Sequence, residues 1–157
     1  MKPMRTEMIE RYLRARGHRY FRGHHDADYF FILTVGHERL HIHIEIPPAD
    51  RHSVTVRATP SCFYPAAESA RLRSFAGKWN KESRPTRAVV HESCDQNRIG
   101  LDAENSYHLA AEVPFEEFAD LADSTIRSAV ALFAEMPTAA TEPAPVRRLG
   151  TRRKDAA

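Results

Sequence analysis

Residues 40–46 read LHIHIEI and set His41, His43 and Glu45 two apart in a chain that carries nine histidines and two cysteines. On a strand, side chains at i and i+2 leave the same face about 7 Å apart at the backbone, close enough for two imidazoles and a carboxylate to meet at one ion. A metal-dependent enzyme using His41, His43 and Glu45 is one reading of that spacing. The other is the wet face of a half-buried strand. Further candidate ligands, His37, His52 and His91, have no diagnostic spacing. The run HHDAD, residues 24–28, holds acids and bases but falls in an expected turn, where such residues are commonplace. Cys94, near His91, reads as an inert thiol. The chain has no G-x-S-x-G, no phosphate-cradling glycine loop, no H-E-x-x-H and no dinucleotide fingerprint, and no catalytic residue is assigned.

The elements around these residues decide between the two readings. Met8, Ile9, Tyr12 and Leu13 recur at helical spacing before a stop at Gly17. From there to Pro60 the period becomes two: HRYF, DYFFILTV, LHIHIEI and SVTVRA read as strands, with VGHER as a hairpin turn. A second helix is expected from about Pro65 to Asn80, on the stripe Leu72, Phe75, Ala76, Trp79. TRAVVHE, RIGLDAE and SYHLAAEV follow as strands with polar breaks between them. The last helix, Pro114 to about Met136, has proline and two glutamates at its start and an apolar series from Phe118 to Met136. This order, α-β(3-4)-α-β(2-3)-α, lacks regular βαβ alternation. The expected class is α+β, an antiparallel sheet with helices mainly on one face.

In such a sheet alternate residues face water and tolerate His, Arg and Glu without a ligand. LHIHIEI, SVTVRA, RIGLDAE and SYHLAAEV show that alternation: Leu40, Ile42, Ile44 and Ile46 oppose Arg39, His41, His43 and Glu45, and Val54, Val56 and Ala58 oppose Ser53, Thr55 and Arg57. The general polar face accounts for the H-x-H pair, so no metal or other cofactor is expected. The pair is similar to the first metal motif of cupins. That family also needs a second histidine motif and a glycine-rich barrel, which six glycines do not supply.

Length fits one domain over residues 1–136. Residues 137–157, rich in proline and alanine, offer nothing with which to build a core and are expected to be a disordered basic tail. Five of the 23 basic residues but only two of the 21 acidic ones lie after Thr141, so the net charge of +2 belongs to the tail and the remainder is near neutral. Weak nucleic-acid binding through the tail is an alternative, but nucleic acid is not the expected partner. Two cysteines outside any C-x-x-C, no long apolar run and a charged N-terminus point to the cytoplasm and away from a membrane.

The stretch GKWNKESRPTRAV, residues 77–89, reads as a helix-to-strand corner: Trp79 closes the apolar stripe, Asn80 can end the helix in a left-handed conformation, and Pro85 biases Arg84 toward extended backbone. A helix ending in Trp-Asn, a short polar loop, a proline and a strand with Ala and Val resembles the YbjN-type domain of bacterial sensory transduction regulators. Trp79, Asn80, Pro85, Ala88 and Val89 carry the resemblance, which extends over roughly Met8 to Met136. Members often carry another asparagine before the Trp-Asn pair, where this chain has Phe75, Ala76, Gly77 and Lys78. The resemblance implies a fold similar to type III secretion chaperones and a non-enzymatic regulatory or chaperone-like role.

DYFFILTV is apolar on both parities, which fits a central strand covered on both faces. If the second face is open instead, Phe30 and Ile32 form an apolar patch amid His and Arg, suited to a partner or a second subunit. Phe30, Ile32, Trp79 and Asn80 are the candidate partner-binding residues. A protein partner or self-association, including a homodimer, is expected.

Overall fold

The computed structural model describes residues 4–136; the expected tail, residues 137–157, lies outside them. The chain runs α1 (Met4–Ala15), β1 (Phe21–Arg22), β2 (Asp28–Val35), β3 (Glu38–Glu45), β4 (Ser53–Pro60), β5 (Tyr64–Pro65), a 3-10 turn (Ala66–Glu68), α2 (Ser69–Lys81), β6 (Arg87–Glu92), β7 (Arg98–His108) and α3 (Phe115–Glu135). All strand pairings are antiparallel, in the order β1-β2-β3-β4-β7-β5, with β6 also on β7. Ile99 pairs with both Tyr64 and Glu92, so β5 and β6 flank β7 on opposite sides. The class is α+β, as the element order predicts.

Local chemistry sets the turns. Gly17, at φ 73, ends α1: its N–H bonds to the Arg14 carbonyl and the His18 N–H reaches back to that of Leu13, a Schellman closure. Gly36, at φ 62, takes the first place of a two-residue loop that pairs Val35 with Glu38, the position where a tight hairpin favours glycine.

One parity of each central strand feeds a single core. Leu40, Ile42 and Ile44 of β3, Val54, Val56 and Ala58 of β4, and Ile99, Leu101 and Ala103 of β7 are buried with Ile9 and Leu13 of α1, Leu72 and Trp79 of α2, and Phe118, Ala122, Ala129 and Leu132 of α3. Tyr12 of α1 meets Phe118 of α3 edge to face, with ring centroids 5.8 Å apart.

Three expectations about the strands change. HRYF yields only the two-residue β1, and RIGLDAE joins the SYH of SYHLAAEV in one continuous strand that ends at His108. Asn105 and Ser106 do not break it because both pair with β4, opposite Val56 and Thr55. DYFFILTV is not covered on both faces: Phe30 is half-buried and Ile32 is 38% exposed.

Candidate functional site

The hairpin register builds the face away from the core. Val35 opposite Glu38 places Ile32 across from His41, Phe30 across from His43 and Asp28 across from Glu45. The next strand sets Thr59 beside His41, Arg57 beside His43 and Thr55 beside Glu45. Phe21 of β1 pairs with Phe30 from the other side, and their rings lie 5.4 Å apart.

The imidazoles of His41 and His43 lie nearly parallel to the Phe30 ring, at centroid distances of 6.0 and 5.2 Å. With Phe21 43% and Ile32 38% exposed, the result is an open aromatic and aliphatic patch. Its borders are cationic or titratable: the Arg19 guanidinium sits 5.9 Å from the Phe21 ring centroid, and Arg39 stands across from Thr34.

Beside the patch lies a network of acids and histidines. Asp28, 1% exposed, accepts from His43 Nδ1 at 3.2 Å and from the His24 amide at 2.9 Å. A Cβ at Gly23 would collide with its carboxylate, so the turn must carry glycine there to pass over it. Glu45 contacts His25 Nε2 at 3.1 Å and Arg57 Nη1 at 3.4 Å. Thus the strand His41-x-His43-x-Glu45 does not assemble a chelate by itself. His41 stacks along Phe30, His43 turns to Asp28, and Glu45 turns to His25.

His25 and Asp28 belong to the HHDAD run, and spacing alone does not connect them to Glu45. The signal that does is the two-residue turn at Gly36, from which counting back along both strands puts Asp28 opposite Glu45. His25 also borders a broad groove lined by Arg5, Arg22, Ile46, Pro47, Arg51 and Phe115.

Trp79 and Asn80 lie elsewhere and hold the corner. Trp79 is 2% exposed, its Nε1 donates to the Thr86 carbonyl at 3.0 Å, and the Arg84 guanidinium stands 3.9 Å from its ring centroid. Asn80 stays helical, since no described residue other than glycine has positive φ. Its amide instead imitates a neighbouring strand. Nδ2 donates to the Ala88 carbonyl at 2.9 Å and Oδ1 accepts from the Ala88 N–H at 2.7 Å, which caps part of the free edge of β6.

The sequence matches no family model and no curated protein. Among solved structures, it is similar to YbjN from E. coli, described as a putative transcription regulator, with a TM-score of 0.62 and 13% identity over 80% of this chain and 86% of that one. At that identity the likeness is one of fold: the α+β architecture here is that of YbjN.

Proposed function

We propose that the protein is a non-enzymatic regulatory or chaperone-like module of the cytoplasm that binds a protein partner through the open sheet face centred on Phe30 and Ile32. The observation that carries this reading is the patch made by exposed Phe21 and Ile32 with half-buried Phe30, on a face whose other residues are mainly polar. Contiguous apolar surface of this kind costs solubility unless something covers it. The adjoining sheet edge is also incomplete, because β1 covers β2 only at Tyr29 and Phe30. Among the described residues no strand pairs with that edge of β2 beyond Phe30, and an extended partner segment that adds there would take affinity from main-chain hydrogen bonds and selectivity from the patch. Arg19, Arg39, His41 and His43 around the patch favour apolar side chains with acidic neighbours.

A non-enzymatic role accords with the regulator of the same fold and with the chemistry of the thiols. Cys62 and Cys94 are exposed and free of disulfides, and partial desolvation of its sulfur with the nearby Glu38 charge raises the Cys62 thiol above its ordinary pKa. Among the described residues no helix is long and apolar enough to cross a membrane.

The test is capture of partners from the native cell with wild type, Phe30→Ser and Ile32→Lys, read by mass spectrometry, together with size-exclusion chromatography for self-association. Both variants are expected to fold and to bind at least ~30-fold more weakly, as for loss of an interface hot spot of about 2 kcal/mol. Undiminished capture by both folded variants would overturn the reading. Unfolding of both would make the patch structural.

A further inference from the structure

His25, Asp28 and Glu45 come from the turn after β1, the first residue of β2 and the last of β3, yet each brings one potential ligand atom within 4.8 Å of the other two. Asp28 and Glu45 are a cross-strand pair on the same face, and like charges placed opposite each other destabilise a sheet. Burial of Asp28 sharpens that cost. The protein's own answer is Arg57, 3.4 Å from Glu45, and two imidazoles that add charge only when protonated.

We propose that His25, Asp28 and Glu45 form a binding site for a first-row divalent metal ion of the zinc class. One imidazole nitrogen and two carboxylate oxygens suit such ions. Metal–ligand bonds of about 2.0–2.2 Å require donors roughly 3.3–3.6 Å apart in a tetrahedron, which side-chain torsions reach from the present spacing. Three protein ligands leave a coordination position for water or an incoming side chain. Outer contacts already orient the ligands: the His43 imidazole and the His24 amide grip the two oxygens of Asp28.

His25 sets the limit on affinity. The Ala27 N–H points at its Nδ1 at 3.3 Å, so in this structure Nε2 carries the hydrogen shared with Glu45. Binding through Nε2 requires the other tautomer, with the hydrogen on Nδ1 and the long Ala27 contact given up. Approach is from the side of His25, the one ligand of the three that lines the broad groove shared by Arg5 and Phe115. The ligands lie outside the docking face, but the two adjoin through His43, which bonds to Asp28 and stacks on Phe30.

The experiment uses full-length protein without a histidine tag, stripped with chelator and titrated calorimetrically with Zn²⁺, with Co²⁺ as a spectroscopic probe. The expected result is one equivalent bound with Kd at or below about 10 µM. His25→Ala and Glu45→Gln should each weaken it by at least ~10-fold, while His41→Ala, on the same face but outside the cluster, leaves it unchanged. Absence of binding up to about 100 µM, or equal weakening by His41→Ala and His25→Ala, would overturn the proposal. Circular dichroism checks the folding of each variant. Should one fold poorly, the wild-type Co²⁺ complex still decides: intensified visible bands of four- or five-coordinate cobalt support the site, and the spectrum of the aqueous ion counts against it.

Discussion

Trp79 shows how one side chain can hold two elements together. Its ring fills the core end of α2, its N–H satisfies the Thr86 carbonyl and its outer surface meets Arg84. Trp79→Ala should therefore cost about 3–5 kcal/mol, as large-to-small core substitutions do. That is a large share of the ~5–15 kcal/mol typical of a domain. Trp79→Phe keeps most of the packing but orphans the carbonyl, at about 1–3 kcal/mol. Urea denaturation followed by circular dichroism separates the two, and a Trp79→Ala variant as stable as wild type would refute the core role. At Asn80 the conservative change is the informative one. Asn80→Asp still accepts from the Ala88 N–H but sets an anionic oxygen where Nδ2 donated to the Ala88 carbonyl, so a loss of about 1–3 kcal/mol at neutral pH is expected from the same denaturation curves.

Among elements, glycines at contrasting positions give opposite predictions. Gly36 has φ 62 in the turn that fixes the β2–β3 register, so Gly36→Ala should lower stability by about 1 kcal/mol or more. Gly77 sits inside α2 with open space where a Cβ would go, so Gly77→Ala should raise stability by about 0.5–1 kcal/mol. Thermal melts of both variants check the signs. The same elements show what the sequence made legible. Period-two alternation placed the core parity of β3, β4 and β7 because each has one wet face, and α3 was plain from its apolar stripe and its acidic start. The openness of the β2 face was not legible, since a doubly apolar strand reads the same whether its second side meets a helix or water. Asn80 was visible as part of a corner, but its bonds to the Ala88 backbone span eight residues and follow no side-chain pattern. The grouping of His25, Asp28 and Glu45 was hidden for a related reason: local composition marks HHDAD as a turn, and only the strand register carries it to Glu45.

At the scale of the whole molecule, the two ends of the domain are tied by charge. Tyr12 of α1 donates to Asp123 of α3 at 2.6 Å, and Arg16 grips the same carboxylate with Nε at 3.1 Å and Nη2 at 2.6 Å. Burial alone would raise the Asp123 pKa, but the hydrogen bonds from Arg16 and Tyr12 and the charges of Arg16 and Arg127 outweigh it and hold the carboxyl below its ordinary value. A depressed carboxyl contributes stability that is present above the unfolded-state pKa of about 3.9 and is lost as pH falls through the lower folded value. The alkaline limb has the opposite origin. Burial raises the phenols of Tyr12, Tyr29 and Tyr64, and pushes Tyr107 up to about 12. The unfolded chain then releases those protons first, and stability falls as pH climbs past about 10. Melting temperature against pH should accordingly show a plateau with an acid and an alkaline decline. Asp123→Asn should melt lower than wild type at pH 7, with the gap closing as pH drops below about 4, because the protonated carboxyl and the amide that replaces it are both neutral. The alkaline decline should be the same in both proteins above the plateau, apart from the share due to Tyr12. A gap that stays constant from pH 7 to pH 3 would mean that shape, and not the charge on Asp123, joins α1 to α3.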